Sequence, residues 1–175
     1  MRNQLAAAAA LAVGFTLVAC SNPSQNSSAG NASPAPAPAP APTPAAAPAL
    51  TDADKKALLA TLPAAYQGAD LDNGQAKFAL CKACHTYAQG GDAGVGPNLW
   101  GIFGRKSGSA AGFSYSDGLK ALNVTWDADK LNTWITKPSA MVSGTKMTYA
   151  GMESAKDRID VIAYLKTVSS PAPAK

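Results

Sequence analysis

The stretch of sequence that decides the fold is Cys81-Lys82-Ala83-Cys84-His85. Two cysteines separated by two residues and followed at once by a histidine form the attachment motif of haem c. Both thiols bond covalently to the haem, and the imidazole ligates the iron. On a helical turn, positions i, i+3 and i+4 share one face, so one short segment holds the haem and directs the histidine to its iron. The motif therefore predicts one covalent haem c.

Other uses of these residues agree less well with the rest of the sequence. A thioredoxin-like C-x-x-C follows a strand in a βαβ unit, whereas residues 72–80 have the pattern of a helix. A zinc site built on the two cysteines and the histidine would lack a fourth ligand of the usual kind at a suitable spacing. His85 is the only histidine in the chain, which also excludes bis-histidine and multihaem cytochromes. A disulfide between Cys81 and Cys84 would leave His85 without a role.

Residues 1–19 have the features of a bacterial export signal. Arg2 precedes an apolar run over residues 5–18 that is too short for an ordinary membrane-spanning helix. The run ends in Leu17-Val18-Ala19-Cys20, which resembles the lipobox of bacterial lipoproteins, whose cysteine carries the lipid anchor. We expect Cys20 to be lipidated, because this third cysteine is otherwise left over in an exported protein. The alternatives are cleavage nearby or an uncleaved signal, with Cys20 incidental.

Residues 20–50 comprise the anchor cysteine and a linker rich in alanine and proline, which alternate over residues 34–42. Such sequence favours extended polyproline II at about 3.1 Å per residue, so that about 30 residues reach on the order of 90 Å. We expect the linker to act as a leash. A docking ligand for aromatic grooves is the less favoured alternative, because no charged residue flanks the tract. Residues 171–175 are expected to form a flexible tail.

Folded structure is predicted to begin at Thr51, with an N-terminal helical extension over residues 51–69. Thr51 and Asp54 form a variant of the capping box in front of a helix over residues 55–61, and Pro63 ends this segment.

Three further helices are predicted in residues 70–170, at about Leu71–Cys84, Asp127–Thr136 and Lys156–Val168. Gly74 lies inside the first, where glycine costs about 1 kcal/mol relative to alanine, so it is expected to allow close approach of the last helix. No alternating strand pattern of any length is present. The predicted fold class is therefore all-α.

Several blocks of sequence, in order, show that residues 70–167 resemble a class I cytochrome c of the mitochondrial and alphaproteobacterial type. The blocks are Gly74-x-x-x-Phe78, Cys81-Lys-Ala-Cys-His85, Gly96-Pro-Asn-Leu99, Gly101-Ile-Phe-Gly-Arg-Lys-Ser-Gly108, Gly112-Phe-Ser-Tyr-Ser-Asp117, Trp126, Gly144-Thr-Lys-Met147-Thr-Tyr-Ala-Gly151 and Ile162-Ala-Tyr-Leu-Lys166. The resemblance implies the class I cytochrome c fold, in which helices pack around one covalent haem and the N-terminal and C-terminal helices of the domain cross.

The resemblance also implies the iron ligands. His85 and Met147 would be the two axial ligands, a pair that raises the reduction potential relative to bis-histidine. Met141 and Met152 are alternatives, but only Met147 has the Gly-Thr-Lys-Met context. The carbonyl of Pro97 would accept a hydrogen bond from the His85 ring and orient it.

By the same resemblance, Arg105, Tyr115 and Trp126 would hydrogen-bond a buried haem propionate, which needs fixed donors away from water. The alternative is a solvated arginine and two ordinary core aromatics. Trp134 stands where the family often has a tyrosine near the methionine sulfur. An indole there cannot accept a hydrogen bond, so the polar network around Met147 is expected to differ.

Charge indicates weak electrostatic steering towards partners. Residues 70–170 contain eleven Lys and Arg against nine Asp and Glu, a net charge of +2, which two haem propionates would largely cancel. Mitochondrial members of the family attract acidic redox partners with a ring of lysines around the exposed haem edge. By this resemblance Lys146 belongs to the ring, while other positions where lysine is common are occupied by Ser139, Ala140, Glu153 and Ser154. No basic cluster with interleaved aromatics is present, so no nucleic-acid binding is predicted.

These observations predict a monomeric, membrane-tethered one-electron carrier on the periplasmic side of a bacterial membrane, with no catalytic residue. By family resemblance, its partners would be a quinol:cytochrome c oxidoreductase and a terminal cytochrome c oxidase. One alternative is a haem enzyme or gas-binding sensor with a labile sixth ligand, although the sequence has no second histidine to polarise a bound gas. Another is a tethered subunit that supplies electrons to one particular enzyme.

Overall fold

The computed structural model describes residues 50–174, so the predicted export signal, Cys20 and the linker up to residue 49 lie outside the described residues. The only β pairing among the described residues is an isolated bridge between Lys106 and Thr125. The prediction of an all-α fold is therefore confirmed. The described helices are α1 Asp52–Ala60, α2 Ala64–Gln67, α3 Leu71–Lys82, α4 Asp117–Ala121, α5 Ala128–Thr136, α6 Pro138–Met141 and α7 Ala155–Val168.

Helix α1 begins at the capping box that the sequence predicts. Thr51 Oγ1 accepts a hydrogen bond from the Asp54 N–H at 3.2 Å, and the Thr51 N–H donates to the Asp54 carboxylate at 3.0 Å. The helix starts three residues earlier than predicted, because the first turn directly follows the cap. After Pro63, the single turn of α2 completes the extension.

The extension shares the core of the rest of the domain. Leu59, Leu62 and Tyr66 belong to the same buried cluster as residues of α5 and α7. The Tyr66 hydroxyl donates to the Ala128 carbonyl at 3.2 Å and to the Asp129 carboxylate at 3.0 Å. These contacts attach the extension to the start of α5.

Helices α3 and α7 form the principal helix crossing, as the sequence predicts for Gly74. A Cβ at position 74 would lie 2.2 Å from the carbonyl oxygen of Asp160 and 2.8 Å from the Cβ of Tyr164. The Asp160 carboxylate is buried beside this contact, where it accepts hydrogen bonds from the Asp70 N–H at 3.0 Å, Asn73 Nδ2 at 2.7 Å and Lys156 Nζ at 2.6 Å. The crossing is therefore both close-packed and hydrogen-bonded.

Within residues 50–174, no helix combines the length and the apolar character that a membrane span requires.

Candidate haem site

A single cavity of about 260 Å³ contains every predicted site residue that the structure describes. Much of its remaining lining is apolar and comes from α3, α5, α7 and the loops between them. The structure thus brings together residues that lie far apart in the chain. The predicted residues at this cavity are Cys81, Cys84, His85, Pro97, Arg105, Tyr115, Trp126 and Met147.

The haem-attachment motif lies at the end of α3. This helix ends at Lys82 rather than at the predicted Cys84. The Cys84 N–H donates to the Cys81 carbonyl three residues back, at 3.1 Å, which tightens the turn, and the His85 N–H donates to the same carbonyl at 3.0 Å. The tightened turn still places Cys81, Cys84 and His85 on the cavity. No disulfide joins the two cysteines. Burial, together with the neighbouring Cys84 thiol, raises the pKa of Cys81 to about 11.

The His85 ring is held with one nitrogen available for a metal. Its Nδ1 lies 2.8 Å from the Pro97 carbonyl oxygen. Because a carbonyl only accepts, Nδ1 carries the hydrogen, and Nε2 keeps its lone pair. Burial lowers the pKa of His85 despite the opposing effect of this hydrogen bond, and the lower pKa favours the neutral imidazole. Gly96 packs against the ring, since a Cβ there would lie 2.3 Å from His85 Cε1.

Met147 reaches the cavity from the loop of residues 144–151 and is half-buried. Met152 also lines the cavity and is buried, whereas Met141 does not line it. Met147 and Met152 are therefore the two methionines whose location at the cavity suits a sulfur ligand. The preference for Met147 rests on its sequence context. Lys146 Nζ donates to the Ser114 carbonyl at 2.9 Å and so joins the methionine loop to the segment before Tyr115.

The three predicted propionate-binding residues lie together, with Tyr115 and Trp126 buried and Arg105 half-buried. The Arg105 guanidinium donates to the Asn98 carbonyl at 2.9 Å and to the Trp100 carbonyl at 3.2 Å. Burial raises the pKa of Tyr115, and the charge of nearby Arg105 opposes that rise. A guanidinium has five N–H donors, so Arg105 retains capacity for a carboxylate.

The structure also identifies residues that the sequence analysis did not single out. Asn98 bonds to several parts of the loop that follows His85. The sequence gives one indication of a special role for Asn98, which is its position in the Gly-Pro-Asn-Leu block. Leu80 and Val95 line the cavity with 60% and 80% of their surface exposed, which no local pattern indicates. Trp134, which the sequence analysis did consider, is buried at the cavity, with its ring centroid 5.7 Å from that of Trp126.

The residues at this cavity fit a haem. They provide a neutral imidazole with a free Nε2, two thiols on the same turn, a thioether, apolar walls for the porphyrin, and polar groups for its carboxylates. Haem supplies an iron that alternates between ferric and ferrous states. Residues 50–174 contain no group of three or more His, Cys, Asp and Glu side chains that could hold a metal ion without a porphyrin.

Comparison with known proteins gives the family. A family model described as Cytochrome c matches residues 71–169. Cytochrome c of Kluyveromyces lactis is 40% identical over 105 residues, which cover 59% of this chain and 96% of that protein. Cytochrome c2 of Rhodoblastus acidophilus is 46% identical over 96 residues, covering 55% and 90%. Among solved structures, cytochrome cH from Methylobacterium extorquens has a TM-score of 0.53 and 44% identity, covering 56% of this chain and 98% of that one.

These similarities confirm the predicted class I fold and the predicted cofactor. Cytochromes c bind one haem c covalently through the cysteine pair of a C-x-x-C-H motif, which occurs once in this chain, at Cys81 and Cys84. They are electron-transfer proteins and not enzymes, as predicted. The chain therefore belongs to the cytochrome c family, as a monohaem electron-transfer protein.

Proposed function

We propose that this protein is a membrane-tethered one-electron carrier on the periplasmic side of a bacterial membrane, working between a quinol:cytochrome c oxidoreductase and a terminal cytochrome c oxidase. The observation that carries the proposal is the convergence of all eight described site residues on one cavity. His85 and Met147 would both ligate iron. Because both of these side chains would hold the iron, the site would favour electron transfer over binding of an outside ligand.

The surrounding residues would set the properties of the site. Pro97 would hold His85 in the tautomer that ligates iron. Arg105, Tyr115 and Trp126 would stabilise a propionate in a place with little water. The apolar lining would disfavour the additional positive charge of ferric iron and so would favour a higher reduction potential.

The accessible edge of the cavity supports docking through short-range apolar contacts. Leu80 and Val95 are the large hydrophobic side chains that stand exposed among residues 50–174, and both line the cavity. Of the charged cavity residues, Arg105 and Lys146 already donate to backbone carbonyls. An edge of this composition exerts little long-range attraction on an acidic partner.

A tether would compensate for weak steering, because confinement at a membrane raises the effective concentration near membrane-bound partners. Cys20 would carry the lipid, and the signal pattern of residues 1–19 supports export to the periplasmic side. The linker would enter the domain at the extension, and none of residues 51–69 lines the cavity.

The optical spectrum of the purified ferric and ferrous protein, with and without carbon monoxide, tests the ligand set. We expect the far-red ferric band of methionine–iron ligation and a ferrous spectrum that carbon monoxide leaves unchanged. Rapid binding of carbon monoxide, without that band, would contradict the closed His85/Met147 site.

A further inference from the structure

Asn98 is the most highly connected side chain in the loop between His85 and Arg105. Its Nδ2 donates to Thr86 Oγ1 at 2.8 Å and to the Ala88 carbonyl at 3.0 Å. Its Oδ1 accepts from the Trp100 N–H at 2.7 Å. Because Nδ2 faces a carbonyl and Oδ1 faces an N–H, only one orientation of the amide satisfies these partners. The side chain therefore joins the two ends of the loop.

The packing around this amide is as close as its hydrogen bonding. A Cβ at Gly91 would lie 2.8 Å from Asn98 Nδ2, so the loop backbone passes close to the amide. The Leu99 N–H donates to the Thr86 carbonyl at 2.8 Å, and the Gly96 N–H donates to the Cys84 carbonyl at 2.8 Å. The segment from residue 96 to residue 99 is thus held against the residues on either side of His85.

The backbone of Asn98 is held from the direction of the cavity as well. Its carbonyl oxygen accepts from Arg105 Nη2 at 2.9 Å. The carbonyl immediately before it, that of Pro97, lies 2.8 Å from His85 Nδ1. Two successive carbonyls therefore accept from the proposed iron ligand and from the cavity arginine, and the Asn98 side chain projects from the backbone between them.

We propose that Asn98 is a positioning residue for the proximal ligand: by fixing the Pro97 carbonyl against His85 Nδ1, it sets the donor strength of the imidazole and the reduction potential of the carrier. This inference rests on the proposed ligation of iron by His85. A hydrogen bond from Nδ1–H makes the imidazole a stronger donor, which stabilises ferric iron and lowers the potential. Loosening the Pro97 carbonyl should therefore raise the potential.

Three variants of the full-length holoprotein separate this role from simple stabilisation. Asn98→Ala removes the whole amide network. Thr86→Val is nearly isosteric and removes one partner of the Asn98 amide together with the hydrogen bond from Thr86 Oγ1 to the Asp92 carbonyl. Asn132→Ala is the matched control, because Asn132 Oδ1 accepts from Arg158 Nε at 2.6 Å and does not line the cavity. The measurements are the midpoint potential, the proton NMR shift of His85 Nδ1–H in the ferrous protein, and the thermal midpoint.

We expect the potential to rise in Asn98→Ala and to rise less in Thr86→Val, with the Nδ1–H resonance displaced in both and the far-red methionine band retained. Asn132→Ala should lower the thermal midpoint while leaving the potential and the resonance at their wild-type values. If Asn98→Ala does not retain haem, Thr86→Val decides the question by the same two readouts.

The inference is overturned if the potential and the Nδ1–H resonance of the Asn98 and Thr86 variants equal those of the wild type. It is also overturned if the potential shifts only together with loss of the methionine band, because the disturbance would then lie at the distal side. Failure of the proposed function is a separate result, since it would appear as a missing methionine band in the wild-type protein before any variant is compared.

Discussion

The carbonyl oxygen of Asp160 lies where the side chain of any larger residue at Gly74 would have to go. A Cβ on Gly74 would come within 2.2 Å of that oxygen, which is backbone and cannot rotate away. Asp160 also supplies the buried carboxylate that bonds to the Asp70 N–H and to Asn73. One residue of α7 therefore both limits the approach of α3 and holds it in place. The helix crossing and the haem cavity depend on this contact, because both helices line the cavity.

Gly74→Ala should destabilise the holoprotein even though alanine is the better helix former. The added methyl must push α3 and α7 apart, and overpacking of this kind costs about 1–3 kcal/mol. The gain in helix propensity is only about 1 kcal/mol, so we expect a net loss of stability. Denaturant unfolding followed at the Soret band measures the effect. Gly68→Ala is the control, because nothing lies within 4 Å of a Cβ there. Equal stability of the two variants would contradict the close-contact argument.

Asp160→Asn should reduce stability at neutral pH and make the protein less sensitive to acid. Burial favours the neutral carboxyl, but hydrogen bonds from Lys156, Asn73 and the Asp70 N–H outweigh it and hold the pKa of Asp160 below its ordinary value of 3.8. A depressed folded-state pKa contributes stability above the ordinary value, and that stability is lost as the pH falls through the folded-state pKa. The variant also loses charge-assisted hydrogen bonds, at a cost of about 1–3 kcal/mol.

Unfolding measured from neutral pH down to pH values below 3.8 should therefore show the difference between wild type and Asp160→Asn shrinking as the pH falls. Asp117→Asn is the matched control, because Asp117 is exposed and pairs with Lys120 in its own turn. A difference that stayed constant over the whole pH range would show that the charge of Asp160 is not responsible.

Met147→Leu should remove the far-red ferric band, open the ferrous protein to carbon monoxide and lower the midpoint potential, because a thioether ligand favours ferrous iron. Leucine has nearly the same volume as methionine, so the cost in packing is below about 1.5 kcal/mol. Met152→Leu and Met141→Leu are the controls and should keep the band. If Met152→Leu loses it instead, the ligand assignment moves to Met152, which also lines the cavity.

Docking to a membrane redox partner should depend on Leu80 and Val95 more than on salt. Each truncation to serine removes apolar contact worth about 1 kcal/mol, so that each should weaken binding roughly fivefold. Raising the ionic strength from about 20 mM to about 300 mM should change the rate of electron transfer between the wild-type protein and its partner less than twofold. Ala76→Ser, on the exposed surface of α3 and away from the cavity, is the control. A steep fall in rate with salt would indicate a charged docking face.

Cys20→Ser should release the protein from the membrane fraction with its haem spectrum unchanged, because several acyl chains on one residue give stable anchoring and none would remain. Fractionation of cells followed by difference spectra measures both properties. A variant that stays in the membrane pellet would show that the signal is uncleaved or that another segment attaches the protein.

The local features of the fold could be read from the sequence because they depend on neighbours within one helical turn. The cap formed by Thr51 and Asp54 satisfies the first N–H groups of α1 wherever the helix packs. The spacing of Cys81, Cys84 and His85 follows from the geometry of a single turn. Gly74 indicated a close helix contact because an interior glycine without such a contact only costs stability.

Tertiary structure alone decided the contacts between segments that the sequence keeps apart. It brought the Gly96 N–H to the Cys84 carbonyl, just beyond the end of α3 at Lys82. It also directed Arg105 to the Asn98 carbonyl and joined Lys146 to Ser114. Such contacts depend on how loops close around a common cavity, and many loop paths satisfy the same local preferences. The sequence determined which residues are available to hold the haem, and the packing of α3 against α7 decided where those residues come together around the cavity.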